Sequence, residues 1–377
     1  MNSEVHFDMD IMNNSYLYTD TGLLRKNIRT ILNTLPVGTK LIPVLKDDAY
    51  GLGAAQVAHT AAEFDEIDCV AVANAAEGLA LRASGWTRGI LVMSSALPFQ
   101  LPAAVETGLT LACASVDFAR ALEECARSLA LRARVHIKID TGLHRIGVEP
   151  GGELAALIAA LDAAESIDVE GVFSHFADTD DAALTARQFA RFESAAAQLE
   201  SAGYTGLMRH ISCSAAHEQY PQYALDAVRI GRALYMDAPQ GARHGIAEVA
   251  TWRSYVTAVK RRRAGDTLGY SGAYTLTRDA DVATIGVGYG DGLQDALCAA
   301  HAPVLVGGRE CALLACCMDQ AFADVTGVEC RVGDSVTIFG YDEGGRLLSS
   351  QAQALQLALT GCGRTAALSP RVARIYG

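Results

Sequence analysis

A single lysine ends a short apolar run in the segment LIPVLKDDAYGLG, residues 41–53. The run has no helical period and a polar, glycine-containing stretch comes after it, so the pattern predicts a buried strand that delivers Lys46 to a turn. Apolar surroundings lower the pKa of an ammonium group and favour the free amine, the form that makes a Schiff base with a carbonyl. Lys46 is therefore a candidate nucleophile; the alternative is a strand-end lysine that points into water.

A tyrosine and two glycines follow this lysine closely. Tyr50, Gly51 and Gly53 lie within seven positions of Lys46. A hydroxyl group and backbone amides without a neighbouring side chain can both approach an anion. Two glycines alone are weak evidence for phosphate binding, but together with Tyr50 they favour a functional role for Lys46.

Eight short apolar runs alternate with amphipathic stretches from residue 41 onward. In order they are LIPVLK, CVAVAN, GILVMSS, LTLACAS, VHIKID, VEGVFSH, MRHISCS and AVRIG, and they end at residues 46, 74, 95, 115, 140, 175, 214 and 231. Helical spacing is clearest between residues 184 and 202, where Phe189, Phe192, Ala196 and Leu199 form one stripe. This alternation predicts an α/β fold, a closed (β/α)8 TIM-type barrel of parallel strands.

A barrel of this type carries its chemistry at the carboxyl ends of the strands. We therefore expect one mouth to collect the polar residues found at or just beyond these ends: Lys46, Asp140, Arg145, His175, Ser214 and Arg229.

The character of the sequence changes after about residue 236. The loop-like stretch APQGARHG is followed by glycine-rich and β-branched runs without long helices, apart from one helical pattern over residues 349–359. This pattern of glycine-rich and β-branched runs predicts a second, mainly β domain. We place the barrel in residues 1–240 and the β domain in residues 241–377.

Composition excludes several classes of function. The 377 residues carry a formal net charge of −12, which argues against binding to nucleic acid. Ten cysteines without CxxC, HxH or HExxH patterns predict no metal site and no disulfide scaffold. There is no signal-peptide pattern and no long apolar run, so we expect a cytoplasmic chain without membrane contact, either a whole protein or the cytoplasmic part of a longer membrane protein.

Several motifs together resemble the alanine racemase family, the fold-type III enzymes that use pyridoxal 5'-phosphate. They occur in the family's order and at its approximate spacing over nearly the full length of the chain: KDDAYGLG (46–53), KIDTGLHRIGV (138–148), SHFADTD (174–180), VRIGRALY (228–235), GYSGAYT (269–275), VGYGDG (287–292), CMDQ (317–320) and SPRVARIY (369–376). The resemblance implies a racemase that interconverts L- and D-alanine and supplies D-amino acid for peptidoglycan.

The resemblance also assigns the cofactor site. It implies that Lys46 holds pyridoxal phosphate covalently and that Tyr50, Ser214 and the backbone at Gly231 bind its phosphate. Arg229 would face the pyridine nitrogen. A guanidinium does not give up its proton, so that nitrogen would stay unprotonated and the ring would withdraw electrons less strongly, which suits racemisation better than decarboxylation or transamination.

Three further barrel residues receive roles from the resemblance. Arg145 would bond the phenolic oxygen of the cofactor and contribute to substrate binding. Lys138 would position Arg145, and family members often carry this lysine as a carbamate; the alternative is a plain lysine paired with an acid. His175 would contact Arg229 on one side and the second catalytic base on the other, whereas without the motif it reads as a satisfied core histidine.

The second base implied by the resemblance is Tyr270. Racemisation removes a proton on one face of a planar intermediate and returns one on the other, so Lys46 would serve the D-face and Tyr270 the L-face. Family members supply this tyrosine from the partner subunit, which implies a head-to-tail homodimer with shared active sites. Met318 and Asp319 would lie near the substrate carboxylate and Tyr289 would line the entry, although Tyr289 and Met318 also fit core positions.

The sequence departs from the family pattern at three positions and leaves other functions open. Cys213 stands where the family usually has asparagine, Cys362 where it commonly has tyrosine, and His144 is a further difference. A smaller residue at 362 favours room for a hydroxymethyl group, so a serine or dual serine/alanine racemase of the vancomycin-resistance type is an alternative. A fold-type III decarboxylase is more distant, because such enzymes generally place a glutamate at the pyridine nitrogen. A barrel-only protein that binds the cofactor without catalysis would lack the second domain.

Overall fold

A computed structural model describes residues 13–236, 245–358 and 362–377. The chain divides into two compact units, Thr21–Ala247 and a second unit that joins Met1–Asp20 to Glu248–Gly377. The predicted boundary at residue 240 lies outside the described residues. The first strand, β1 (Ser15–Thr19), belongs to the second unit rather than to the barrel in which we had placed residues 1–20. It pairs with two strands that begin more than 200 residues later, and no local pattern reveals such a pairing.

The first unit is a barrel of eight parallel strands, and these are the eight predicted from the apolar runs. They are β2 (Lys40–Pro43), β3 (Cys69–Val72), β4 (Gly89–Val92), β5 (Thr110–Cys113), β6 (Ala133–Lys138), β7 (Ile167–Phe173), β8 (Met208–His210) and β9 (Ala227–Ile230). Strands β3 to β8 form one parallel sheet in chain order, and β2 pairs with β9. Parallel bridges from Val44 to Ala71 and from Cys213 to Arg229 close the ring. The predicted barrel is confirmed.

Helices follow most of the barrel strands. They span Thr21–Thr34, Ala54–Ala61, Ala75–Ala83, Leu101–Glu106, Val116–Ser128, Gly152–Asp162, Ala182–Ser201, Ser214–Gln219 and Arg232–Tyr235, with short 3-10 turns at Pro98–Gln100 and Pro221–Tyr223. The predicted stripe over residues 184–202 buries Phe192 and Leu199 fully, while Phe189 stacks on Tyr223 with ring centroids 4.2 Å apart. Side chains of Asn74, Ser115 and Asp181 cap three of these helices by accepting backbone N–H bonds.

The second unit is mainly β, as predicted. Its further strands are β10 (Ala250–Arg262), β11 (Thr267–Leu268), β12 (Tyr274–Thr275), β13 (Ala280–Ile285), β14 (Pro303–Val306), β15 (Arg309–Cys316), β16 (Ala321–Asp324), β17 (Ser335–Tyr341), β18 (Leu347–Leu348) and β19 (Ala373–Tyr376). Nine strands form one sheet in the order β18-β17-β14-β15-β16-β13-β10-β1-β19, and β11 pairs with β12. The long strand β10 also pairs with β17, so the sheet curls back on itself around buried Trp252 and Phe339.

Short helices complete this unit at Asp295–Ala299, Ser350–Gln356 and Gly363–Ala366, with 3-10 turns at Tyr270–Gly272 and Tyr289–Asp291. Ser349 caps the helix predicted over residues 349–359, and residue 359 lies outside the described part of the chain. Across the described residues, no helix has the length and apolar character that a membrane span requires. In the same residues no group of three or more His, Cys, Asp or Glu side chains is placed to hold a metal ion.

Candidate active site

Lys46 directly precedes a left-handed turn. The four residues that follow it, 47–50, all have φ between 52° and 60°, although none of them is a glycine. Each residue in this conformation costs about 1–2 kcal/mol relative to the right-handed form. The turn is held by bonds from the Ala49 N–H to the Leu45 carbonyl (2.9 Å) and from the Ala54 N–H to an Asp48 carboxylate oxygen (2.7 Å). Backbone strain sustained in this way is typical of functional sites.

The strained turn brings Tyr50 to the end of β9. The Tyr50 ring lies 5.7 Å from the Lys46 amine and 5.3 Å from the Tyr235 ring. A Cβ atom added to Gly231 would lie 2.1 Å from the Tyr50 hydroxyl, so a larger residue at that position would displace the Tyr50 ring. The buried Ser214 hydroxyl accepts the Gly231 N–H bond at 3.2 Å. The Tyr50 and Ser214 hydroxyls and the Gly231 amide therefore meet at the carboxyl end of the barrel. We call this group the Tyr50 cradle.

Arg229 is buried at the carboxyl end of β9, with 3% of its surface exposed. It donates to His210 Nδ1 at 2.7 Å, to His175 Nδ1 at 3.1 Å and to the Ser174 carbonyl at 2.7 Å. Further bonds reach the carbonyls of residues 210 and 211. Burial lowers the pKa of Arg229 to about 10, which still leaves the guanidinium charged at neutral pH. Its hydrogen-bond partners are imidazoles and carbonyls, and none of those in the described residues is a carboxylate.

Lys138 is buried at the end of β6, with 4% of its surface exposed. Its amine lies 5.0 Å from the Phe173 ring, and the Arg229 guanidinium lies 5.4 Å from the same ring. Burial, followed by the charges of Arg229 and Arg145, lowers the pKa of Lys138 to about 7. A substantial fraction of this amine is therefore neutral at physiological pH.

Arg145 lies on the exposed loop that follows β6. Asp140, which we expected at the barrel mouth, builds this loop: its carboxylate accepts N–H bonds from Gly142 (2.9 Å) and His144 (3.1 Å). The His144 ring lies 3.6 Å from the other carboxylate oxygen. His144, which had no assigned role, therefore helps to shape the loop that carries Arg145.

The remaining candidates lie in the second unit. Tyr270 is 69% exposed, and Ser271 after it has a φ of 55°. Tyr289 and Met318 are 42% and 54% exposed, so neither is a core residue. The Tyr289 N–H bonds to the Cys317 carbonyl at 3.0 Å, and the Gly290 N–H bonds to the Met318 carbonyl at 2.8 Å. The structure thus brings Tyr289, Met318 and Asp319 together on two bonded loops.

Sequence reasoning missed two histidines of this site, His136 and His210. Both are buried, and His210 bonds Arg229 directly. A signal was present for one of them, because His136 precedes Lys138 by two positions on β6 and alternate residues of a strand share a face.

Three histidines here are held neutral, which predicts acid sensitivity. Burial and the Arg229 charge lower the pKa of His136 to about 4 and hold the pKa values of His175 and His210 well below 6.5. Below about pH 6.5 the unfolded chain binds more protons than the folded chain, so the free energy of unfolding falls as the pH falls. We expect urea midpoints to decrease from about pH 6.5 to pH 5. Replacing the exposed His59 by Asn should preserve this slope, and pH-independent midpoints would contradict the assignment.

Comparison with known proteins places both units in one family. The family model for the alanine racemase N-terminal domain matches residues 19–239, and the model for the C-terminal domain matches residues 249–376. An alanine racemase of Symbiobacterium thermophilum is 35% identical over 98% of this chain and 99% of its own length. An alanine racemase of Geobacter sulfurreducens is 33% identical over 95% of each chain.

Solved structures agree with this result. The alanine racemase of Clostridium difficile 630 superposes with a TM-score of 0.91 at 30% identity, covering 97% of this chain and 96% of that one. The alanine racemase of Bacillus anthracis with bound L-Ala-P superposes with a TM-score of 0.90 at 26% identity, covering 97% and 95%. These matches favour neither the serine racemase nor the decarboxylase that the sequence left open. The chain belongs to the alanine racemase family.

Proposed function

We propose that this chain uses pyridoxal 5'-phosphate to interconvert L- and D-alanine and so supplies D-alanine for peptidoglycan. The observation that carries the proposal is the buried Arg229, which has no carboxylate partner among the described residues and lies at the same barrel end as Lys46 and the Tyr50 cradle. The cradle fits a phosphate, because its two hydroxyls can donate hydrogen bonds and Gly231 carries no side chain that would displace the Tyr50 hydroxyl. Lys46 would hold the cofactor covalently, with Tyr50, Ser214 and Gly231 at its phosphate.

The cofactor, when bound, would supply an electron-withdrawing ring that acidifies the Cα–H bond of the amino acid. Arg229 would lie against the ring nitrogen and keep its proton, because a guanidinium remains charged even with its pKa lowered to about 10. Arg145 would bond the phenolic oxygen and bind the substrate, with its loop held by Asp140.

Two residues would move the proton at Cα. We assign the D-face to Lys46 and the L-face to Tyr270. A phenol with a pKa of about 10 is a weak base at neutral pH, so it needs a neighbour that stabilises its anion. His175 can provide this stabilisation. Its Nδ1 accepts a bond from Arg229, so the proton of the neutral ring lies on Nε2 and can be donated to the Tyr270 oxygen.

Tyr270 would come from a second copy of the chain, in a head-to-tail homodimer with shared active sites. The support is the exposure of Tyr270, Tyr289 and Met318 in the isolated chain, because exposed aromatic and apolar side chains in one unit are typical of an interface. Met318 and Asp319 would then lie near the substrate carboxylate of the partner's site, and Tyr289 would line its entry.

The location we propose is the cytoplasm. The support is that the described residues contain no disulfide bond, which is typical of proteins in a reducing compartment.

The decisive experiment is racemisation of L-alanine and L-serine by purified protein with added pyridoxal phosphate, followed by chiral chromatography. We expect alanine to be preferred. Serine turned over equally or better would move the function to a serine racemase and make Cys362 the residue to mutate. Turnover of neither substrate would overturn the proposal.

Lys138 provides a separate prediction. A buried amine whose pKa is about 7 is largely unprotonated at pH 8, so its nitrogen can attack carbon dioxide and release a proton to give a carbamate. The negative carbamate would neutralise the charge that Lys138 otherwise adds beside Arg229 and Arg145. We expect one carbamate signal in the carbon-13 NMR spectrum of protein equilibrated with labelled bicarbonate. Lys138→Met should abolish the signal and the exposed Lys40→Met should keep it; a signal that survives Lys138→Met would contradict the assignment.

A further inference from the structure

Two buried imidazoles continue the hydrogen-bond chain behind Arg229. Arg229 donates to His210 Nδ1 at 2.7 Å, and His210 Nε2 lies 2.8 Å from His136 Nδ1. His210 has no exposed surface and His136 has 6%. The chain therefore runs from the candidate cofactor site into the barrel interior, and it ends on a histidine two residues before Lys138.

The direction of every proton in this chain follows from the arginine. An arginine nitrogen can only donate, so His210 Nδ1 must accept and the proton of a neutral His210 must lie on Nε2. That Nε2–H donates to His136, whose Nδ1 must accept in turn. Both rings are therefore Nε2–H tautomers, and the opposite tautomer of His210 would set an N–H group against the guanidinium.

Charge and packing keep the chain in this state. Burial and the nearby Arg229 charge lower the pKa values of both histidines, so both rings are neutral at neutral pH and each carries one ring proton. The Phe173 ring stacks on His210 with centroids 5.1 Å apart and planes 9° apart. The His210 ring therefore has little freedom to rotate. The position of its ring proton, on Nδ1 or on Nε2, can still change.

The fold makes room for His136 in particular. The register of β6 against β7 shifts between Val135 and His136, so that a bulge sets Gly171 opposite the histidine. A Cβ atom on Gly171 would lie 2.8 Å from His136 Nδ1, the accepting atom itself. A β-bulge and a residue without a side chain thus accommodate this ring at its point of contact with His210.

We propose that His136 is a positioning residue, which fixes the tautomer of His210 and thereby holds the Arg229 guanidinium in place. The proposal rests on the proposed function only for the role of Arg229 at the cofactor. Without an acceptor at position 136, the buried His210 N–H loses its partner. His210 then either keeps an unpaired donor or turns its proton toward Arg229, and both outcomes weaken the support of the arginine.

Tautomers can be measured directly in the holoenzyme. We expect long-range nitrogen-15 correlation spectra of histidine-labelled protein to show Nε2–H forms for both His136 and His210 at pH 7. His136→Leu should remove this form of His210 or shift its ring proton, whereas His136→Asn offers an oxygen near the Nδ1 position and should retain it. His59→Asn, at an exposed helix position, should leave both signals unchanged and aids assignment.

Kinetics provide the second readout. His136→Leu should lower kcat for alanine about tenfold, equivalent to about 1.4 kcal/mol, with little change in KM, and His136→Asn should recover most of that loss. A His210 found as Nδ1–H or doubly protonated in wild-type protein, or equal kcat values in Leu and Asn variants, would overturn the proposal. The expected tautomers in a protein that racemises no amino acid would refute the proposed function and leave the tautomer assignment intact.

Discussion

Lys46→Ala should abolish racemisation in both directions and should leave no cofactor covalently attached. The Lys46 amine lies beside the Tyr50 ring and is the group proposed to bind the cofactor covalently. It is also the proposed base on the D-face. The variant therefore loses two functions at once. We expect the visible absorbance of the bound cofactor to disappear after gel filtration, with turnover reduced by at least about 10⁴-fold.

The strand before Lys46, β2, contains a lysine that serves as a matched control. Lys40 is the first residue of β2 and forms an exposed ion pair with Asp68 at 2.8 Å. Exposed pairs of this kind contribute little to stability, so Lys40→Ala should retain both absorbance and turnover. Covalently bound cofactor in the Lys46 variant would show that another lysine carries it.

The sequence predicts the strand that delivers Lys46 but not the shape of the turn after it. The apolar run and the polar residues beyond it are local signals of a strand end. The left-handed conformation of residues 47–50 has no such signal, since Ala49 and Tyr50 do not favour it and only the two aspartates tolerate it. Local bonds at residues 45 and 48 hold this conformation together with a long-range bond from the Asp47 N–H to Glu77 at 3.1 Å.

The same distinction explains the rest of the fold and the site. Each barrel strand carries its own apolar run, so the barrel could be predicted from local patterns. The pairing of β1 with β10 and β19 depends on residues far apart in the chain and could not. Strand ends and motif resemblance together supplied the candidate residues, and the resemblance supplied their roles. His210 required the three-dimensional structure, because nothing in a local pattern shows which buried histidine meets an arginine.

The electrostatics of the barrel end would suit an anionic cofactor and the carboxylate group of an amino acid. Burial, followed by the basic side chains of Arg229, Lys138, Arg145 and Lys46, lowers the pKa of His175, and these four side chains surround the barrel end. The whole chain has a net charge of −12, which makes this local excess of positive charge the exception. A phosphate and a carboxylate would both be attracted there. A carbamate on Lys138 would reduce the excess without removing the charges of Arg145 and Arg229.

Tyr270→Phe provides the sharpest test of the second base. The substitution removes only the hydroxyl, and the side chain is 69% exposed in the chain, so the fold should be retained and the cofactor should stay bound. Racemisation should fall by at least about 10³-fold, because no other group is assigned to the L-face. Tyr274→Phe, four residues further along the same segment, keeps the ring that contacts His301 and should leave turnover unchanged.

Exchange of the α-proton in deuterium oxide separates the two faces. With Lys46 intact, the Tyr270→Phe variant should still exchange the α-proton of D-alanine with solvent, while exchange from L-alanine and conversion between the enantiomers are lost. Wild-type protein should exchange both enantiomers. Equal exchange from L- and D-alanine in the variant would mean that another group serves the L-face, and loss of the cofactor would mean that Tyr270 holds the cofactor rather than moves the proton.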